Sequence, residues 1–244
     1  MKFIKYRDLS IVKLPKGKSI VISCDSCGSI GSKENDKLNV PAYITGRYTA
    51  RVVLFEVLAY GAEVVAITNC VSNEMNDTAS EILQGLKDEL IDANINENII
   101  NGSTEENFET SMTAVGMTCI GYLEGISKVK PINKGDKILF VGEAKVGIEV
   151  KLGYDSEIIN YEDLKYFHSI NGVKEIVPVG SKGARYEAEL LAKYNNLSIK
   201  YNYNSNVDID KSSGPATSAI VVVSCESLNM ALRNTKTKVI GQFE

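Results

Sequence analysis

Runs of β-branched residues alternate with runs of apolar residues at helical spacing, and this alternation predicts a chain of the α/β class, in its mixed α+β form. Glu63–Val71 and Ala219–Ser224 are the clearest strand signals, and 44–62 is the clearest helix signal. The length of 244 residues and a hydrophobic fraction of 44% suffice for one large domain or two ordinary ones. No short repeat or low-complexity segment interrupts the pattern.

The elements follow in order. Residues 4–13 alternate irregularly and end at the turn Leu14-Pro15-Lys16-Gly17-Lys18, after which Ser19–Ser23 reads as a strand. The polar stretch Ser23–Lys33 reads as a loop leaving that strand. Between 44 and 62, Tyr48, Val52, Phe55 and Ala59 recur at helical spacing beside Val53, Leu54, Val57 and Leu58, and the run stops at Gly61. This helix is apolar on most sides, so Glu56 within it needs an ion-pair partner, an edge position or a cation. Both the structural and the functional reading of Glu56 stay open here. Arg47 and Arg51 lie one turn apart on the same helix.

The strand Glu63–Val71 leads into Ser72–Asp77, a polar turn expected to supply the N-cap of a helix over Thr78–Ala93. Ile99–Phe108 reads as a short strand entering a Gly-polar-acid loop, and Thr113–Tyr122 as a further strand. The segment 127–136 reads as a junction, which sets the expected domains at 1–130 and 131–244. In the second of these the expected elements are a strand over 137–142, a helix near 161–169, a strand at 175–179 and a helix over 184–194. A strand at 219–224, a helix at 227–233 and a strand at 238–243 complete it. Gly180-Ser181-Lys182-Gly183, opening the helix at 184, reads as a strand-to-helix turn or as an anion contact.

Composition narrows the function. A net charge of −4 with no standout Lys/Arg cluster argues against non-specific nucleic-acid binding, so any phosphate recognition is local. No apolar run is long enough to span a bilayer, and the first residues lack a signal-peptide core, which makes the cytoplasm the expected location. The five cysteines, at 24, 27, 70, 119 and 225, fit a reducing compartment. Cys24-Asp25-Ser26-Cys27 admits a zinc or redox reading, but the single histidine, His168, is remote in sequence and no second paired-cysteine motif is present. In 23–33 the small residues allow close backbone approach to a ligand, and Asp25 and Lys33 suit a cation and a phosphate oxygen.

Several segments, in order, resemble the aminoimidazole ribonucleotide (AIR) synthetase superfamily, which also holds thiamine-monophosphate kinase, selenophosphate synthetase and a hydrogenase maturation protein. Asp25–Lys33 resembles that family's Asp-Gly-Val-Gly-Thr-Lys loop, and Glu56–Ala62 resembles its Asn-Asp-Ile-x-x-x-Gly-Ala helix end. Asn101–Glu105 is similar to its Gly-Gly-Glu/Asp-Thr loop, Gly135–Ile138 to the start of its second domain, and Ser213–Thr217 with Lys238–Gly241 to its close. The resemblance implies two domains, an amino-terminal mixed sheet with helices that pairs with a second copy, and ATP bound near the dimer interface with Mg²⁺. It implies Asp25, Glu56 and Glu105 as metal ligands and Lys33 with Asp25 as the catalytic pair. Nucleotide contacts then fall to Ser26, Gly28, Gly31, Ser32, Lys33, Arg47, Asn69, Gly102 and Thr104. The chemistry agrees, because Mg²⁺ prefers carboxylate oxygens and phosphoryl transfer rests on positioning and charge neutralisation.

Two departures bear on the substrate. Glu56 stands where the family has Asp, and Val179–Ala184 replaces an Asp-x-Ser-Gly/Asp-Gly-Leu segment, losing an acid and adding a base. The second domain is also short for the family. The expected activity is therefore an ATP- and Mg²⁺-dependent kinase acting on a small-molecule hydroxyl, with α-ribazole of cobalamin lower-ligand salvage as the acceptor. Thiamine monophosphate is the alternative acceptor, and a nucleotide-binding regulatory protein without turnover is the alternative function.

Overall fold

The computed structural model describes residues 1–125, 127–151 and 153–244. It divides into two compact units, Met1–Leu58 with Ala62–Ile126, and Ala59–Gly61 with Ser127–Glu244.

The first unit contains β1 (Lys2–Tyr6), β2 (Leu9–Lys13), β3 (Lys18–Gly28), the short β4 (Ile30–Gly31) and β5 (Leu38–Asn39), α1 (Ala42–Tyr60) up to Leu58, β6 (Glu63–Val71), α2 (Ser80–Asp92), β7 (Ile100–Thr104) and β8 (Ala114–Glu124). Six strands form a mixed sheet in the order β1-β2-β3-β8-β6-β7, in which only β6 and β7 run parallel. Burial alternates with period two. Val21 and Ser23 on β3, and Val115, Met117, Cys119 and Leu123 on β8, are buried, while Ile20, Ile22, Thr118, Ile120 and Tyr122 are half-exposed.

Three features depart from the sequence expectation. Residues 4–13 belong to a hairpin turned by Arg7-Asp8, with Arg7 at φ 50° and no glycine to announce it. Cys24–Gly28 is strand, not loop: β3 pairs with β8 over its whole length from Lys18↔Glu124 to Gly28↔Ala114, and these ladder hydrogen bonds override the low strand propensity of the small residues. The residue capping α2 is Ala79, with no side-chain cap, so the polar turn before it does a different job, described below.

Helices α1 and α2 meet backbone to backbone. A Cβ on Gly46 would lie 2.1 Å from the Ile82 carbonyl oxygen, and one on Gly85 2.1 Å from that of Tyr43. The two glycines permit a helix approach that no larger residue allows. Beside this contact Arg47 donates to Glu89 Oε2 through Nε (3.0 Å) and Nη2 (2.8 Å) and also reaches Asp92, while Arg51 Nη1 lies 3.4 Å from Glu89 Oε1. The buried Glu89 is thus neutralised by arginines one helical turn apart.

The second unit contains β9 (Lys137–Gly142), α3 (Tyr161–Ser169), β10 (Val173–Pro178), α4 (Gly183–Asn195), β11 (Ile199–Tyr201), β12 (Ser218–Val223), α5 (Leu228–Ala231) and β13 (Thr237–Phe243). Its five-stranded sheet, β10-β12-β9-β13-β11, is antiparallel throughout. Every residue of β12, an interior strand, is buried, which explains the apolar run 219–223. Ile138, Phe140, Val177, Ile220 and Val222 pack with Ala188 and Leu191 of α4 in its core. The edge strand β11 is three residues long, too short to carry a periodic signal in the sequence.

Candidate functional site

Four neighbouring strands of the first unit end together. The pairings Gly28↔Ala114, Val71↔Val115 and Val71↔Thr104 bring the ends of β3, β6 and β7 beside the start of β8. The segments 29–37, 72–78 and 105–113 therefore emerge at one edge. Just inside it, Asp25, Met117, Asn69 and Gly102 form one cross-strand row, in which Asp25 and Asn69 stand two strands apart, about 10 Å.

Two carboxylates absent from the sequence-derived set organise these loops. Asp36 accepts the Lys33 backbone N–H (2.9 Å), the Thr113 N–H (2.9 Å) and the Thr113 hydroxyl (2.7 Å). A Cβ at position 31 would stand 2.2 Å from Thr113 Oγ1, so Gly31 serves close packing of its own loop. Glu74 accepts Lys33 Nζ (2.7 Å), the Thr110 N–H (2.5 Å) and the Thr110 hydroxyl (3.0 Å). The fully buried Asn73 donates to Thr110 Oγ1 (2.7 Å) and the Met112 carbonyl (2.9 Å) and accepts the Ala114 N–H (3.0 Å). Asn73 and Glu74 thus tie the 110–114 segment to the end of β6. Their only sequence signal is a polar turn after a strand, the pattern that reads equally well as a helix cap.

Lys33 lies in this network. Glu105 follows β7, with its N–H on the Asn73 carbonyl (3.2 Å) and its carboxylate on the Asn107 N–H (2.7 Å), while Thr104 donates to Glu106 (2.6 Å). The buried Asn69 amide donates to the Asn101 carbonyl (3.3 Å), beside Gly102. Ser26, Gly28 and Ser32 are exposed along β3 and its loop. Asp25 is half-buried and has no ion-pair partner among the described residues. Burial raises its carboxyl above the ordinary value; a backbone hydrogen bond from Ser26 opposes the shift and the Asp8 charge adds to it. Lys33 and the backbone N–H groups hold Glu74 down at about 2, and the Asn107 N–H lowers Glu105.

Other residues of the sequence-derived set are engaged elsewhere. Glu56 pairs with Arg7 Nη1 at 3.2 Å, their side chains 8% and 1% exposed, which meets the need for an ion-pair partner. Arg47 is occupied by Glu89 and Asp92 on the helix pair. Among the described residues, no three His, Cys, Asp or Glu side chains are grouped to hold a metal ion, so Asp25, Glu56 and Glu105 do not form such a group within the chain. Cys24 and Cys27, three apart on the extended β3, point to opposite faces, which removes both the zinc and the redox reading. In the second unit the Lys182 ammonium sits 4.2 Å above the Tyr186 ring. No helix among the described residues is long and apolar enough to cross a membrane.

The chain has counterparts among known proteins. Residues 6–123 match the AIR synthase related protein, N-terminal domain. No curated protein sequence matches the chain. Among solved structures the chain is similar to PurLQS from Thermotoga maritima, with 16% identity, a TM-score of 0.73 and coverage of 99% of this chain and 43% of that one. It is also similar to thiamine monophosphate kinase from Aquifex aeolicus (12% identity, TM-score 0.72, 98% and 89%) and to E. coli HypE, a hydrogenase maturation protein (13%, 0.69, 93% and 80%). The fold is AIR synthase-like across both units. The chain spans under half the length of PurLQS but most of the kinase and of HypE.

Proposed function

We propose that the protein is an ATP- and Mg²⁺-dependent kinase that phosphorylates a hydroxyl of a small molecule, with α-ribazole as the acceptor. The observation that carries this reading is the shared edge of the AIR synthase-like sheet. There a lysine, a strand-end carboxylate and a half-buried carboxylate without a cation lie on converging segments. Asp25 fits a cation by its chemistry, since its burial raises the energy of the ionised carboxylate, a cost that a backbone hydrogen bond from Ser26 offsets only in part and that no ion pair among the described residues relieves. Asp25 and Glu105 are the residues proposed to hold Mg²⁺, an ion that takes one or two protein carboxylates and completes its shell with water and substrate phosphates. When bound, the metal neutralises charge on the phosphates. Lys33 binds a phosphate oxygen, and Ser32, Asn69 and Thr104 line the approach, whereas Ser26 and Gly28 alternate with Asp25 along β3 and lie on the opposite face of the sheet. These side chains act by holding and orienting, the main source of catalysis in phosphoryl transfer.

The sheet face away from the helices supports a second proposal, that two copies pair. Val12, Ile20, Ile22, Ile120 and Tyr122 lie half-exposed on it, with Phe3 63% exposed at its margin. An apolar face of this kind is ordinarily covered. Sedimentation equilibrium is expected to give twice the chain mass, and a monomer at all concentrations removes the pairing.

The test of activity uses purified protein, ATP, Mg²⁺ and α-ribazole, with α-ribazole phosphate sought by mass. Product is expected, and its formation stops when Mg²⁺ is chelated. ATP binding without product removes α-ribazole as acceptor, and no turnover on any acceptor panel leaves a nucleotide-binding protein. Absence of ATP binding removes the kinase.

A further inference from the structure

Glu74 lies where three donors converge. The Lys33 ammonium and the Thr110 hydroxyl point at Oε2 (2.7 and 3.0 Å), and the Thr110 N–H points at Oε1 (2.5 Å). Asn73 Nδ2 donates into Thr110 Oγ1, which leaves that hydroxyl's own proton for Glu74. An ammonium, a hydroxyl and a backbone N–H around one anion are the donor set that also binds a phosphoryl group. Lys33 and Glu74 remain 21% and 23% exposed, so solvent and solutes reach the pair. Asp36, the other carboxylate with three donors, faces only the backbone of Lys33 and the backbone and hydroxyl of Thr113. Asp36 therefore anchors the main chain at Lys33 without using the ammonium. The side chain is free to change partner while the loop stays in place.

We infer that Glu74 is a resident counter-anion of the phosphate cradle, which keeps Lys33 and Thr110 in position until an incoming phosphoryl oxygen displaces it. Glu74 is a positioning residue in this scheme, and its carboxylate competes with the ligand for Lys33. The identity of the anion as a nucleotide phosphate rests on the kinase reading above; the displacement itself does not.

The experiment compares wild type with Glu74→Gln, using MgATP and inorganic tripolyphosphate as separate titrants. The amide keeps the shape but loses the charge, so affinity for both anions is expected to rise about fivefold, the scale of a partly exposed ion pair. Thermal stability is expected to fall in the same variant, a pairing of effects that a purely structural residue does not produce. Lys33→Met is expected to weaken binding, and in the double variant the gain from Glu74→Gln disappears. Tighter tripolyphosphate binding with no ATP binding in either protein keeps the displacement and removes the nucleotide reading. Unchanged or weaker binding of both anions by Glu74→Gln overturns the displacement, and MgATP binding by wild type then leaves the kinase reading intact. A wild-type structure with tripolyphosphate gives a readout independent of the variants. Lys33 Nζ is expected on a phosphate oxygen and out of reach of Glu74, and an intact pair with the anion bound to the loop overturns the inference.

Discussion

Asp25→Asn is expected to lower turnover by about 100-fold or more, the scale on which loss of one electrostatic contact at a reacting phosphoryl group is felt. The same substitution is expected to raise the melting temperature of the ligand-free protein by a few degrees. Both effects have one origin. Burial raises the Asp25 carboxyl pKa in the folded protein, so the folded state holds this proton more tightly than the unfolded chain. The stability that this group contributes is present at low pH and is lost as pH rises through the unfolded and then the folded pKa. At neutral pH ionised Asp25 therefore works against folding, and a neutral isostere removes the cost. Affinity for Mg²⁺-nucleotide follows the opposite course, failing as the solution is acidified through the raised pKa. Melting curves with and without MgATP, together with turnover, check this. A lower ligand-free melting temperature with an unchanged MgATP shift contradicts it.

Arg7→Met is expected to destabilise the protein by about 3–5 kcal/mol, because it takes the guanidinium from a carboxylate buried within α1. The pair is 3.2 Å long and almost wholly buried. Methionine retains most of the side-chain length, so the change isolates the charge rather than the volume. Adding Glu56→Leu is expected to restore most of the loss, since a buried pair replaced by apolar groups of similar size costs little. Urea denaturation of the two single variants and the double variant measures the cycle. An Arg7→Met protein as stable as wild type shows that Glu56 does not depend on this partner.

The Glu56–Arg7 pair also shows where sequence reasoning stops. An acid inside an apolar helix signals that a partner is required, but the partner comes from a hairpin turn 49 positions away. Nothing local at Arg7-Asp8 marks that turn. The small-residue stretch 24–28 fails for a related reason, since its strand character comes from β8, about ninety positions further on, and not from its own propensities. Arg47 carried a charge suited to phosphate, and only the approach of α2 through Gly46 and Gly85 reveals that Glu89 consumes it. Asp36 and Glu74 were invisible as organisers because a polar loop residue looks the same whether it faces solvent or ties two loops together.

What the sequence determined by itself is the set of elements whose apolar periodicity is strong and local: α1, β6, β8, α3, α4 and β12. It also determined the α/β class and the order of the segments that carry the AIR synthase likeness, because patterns of period 2 and 3.6 are properties of neighbouring residues. Tertiary structure alone decided which charges are spent on one another. Long-range pairing and helix crossing bring Arg7 to Glu56, Arg47 to Glu89 and Lys33 to Glu74, and they leave Asp25 half-buried with no ion-pair partner among the described residues. Charge neutralisation depends on distance in space, which a linear pattern does not encode.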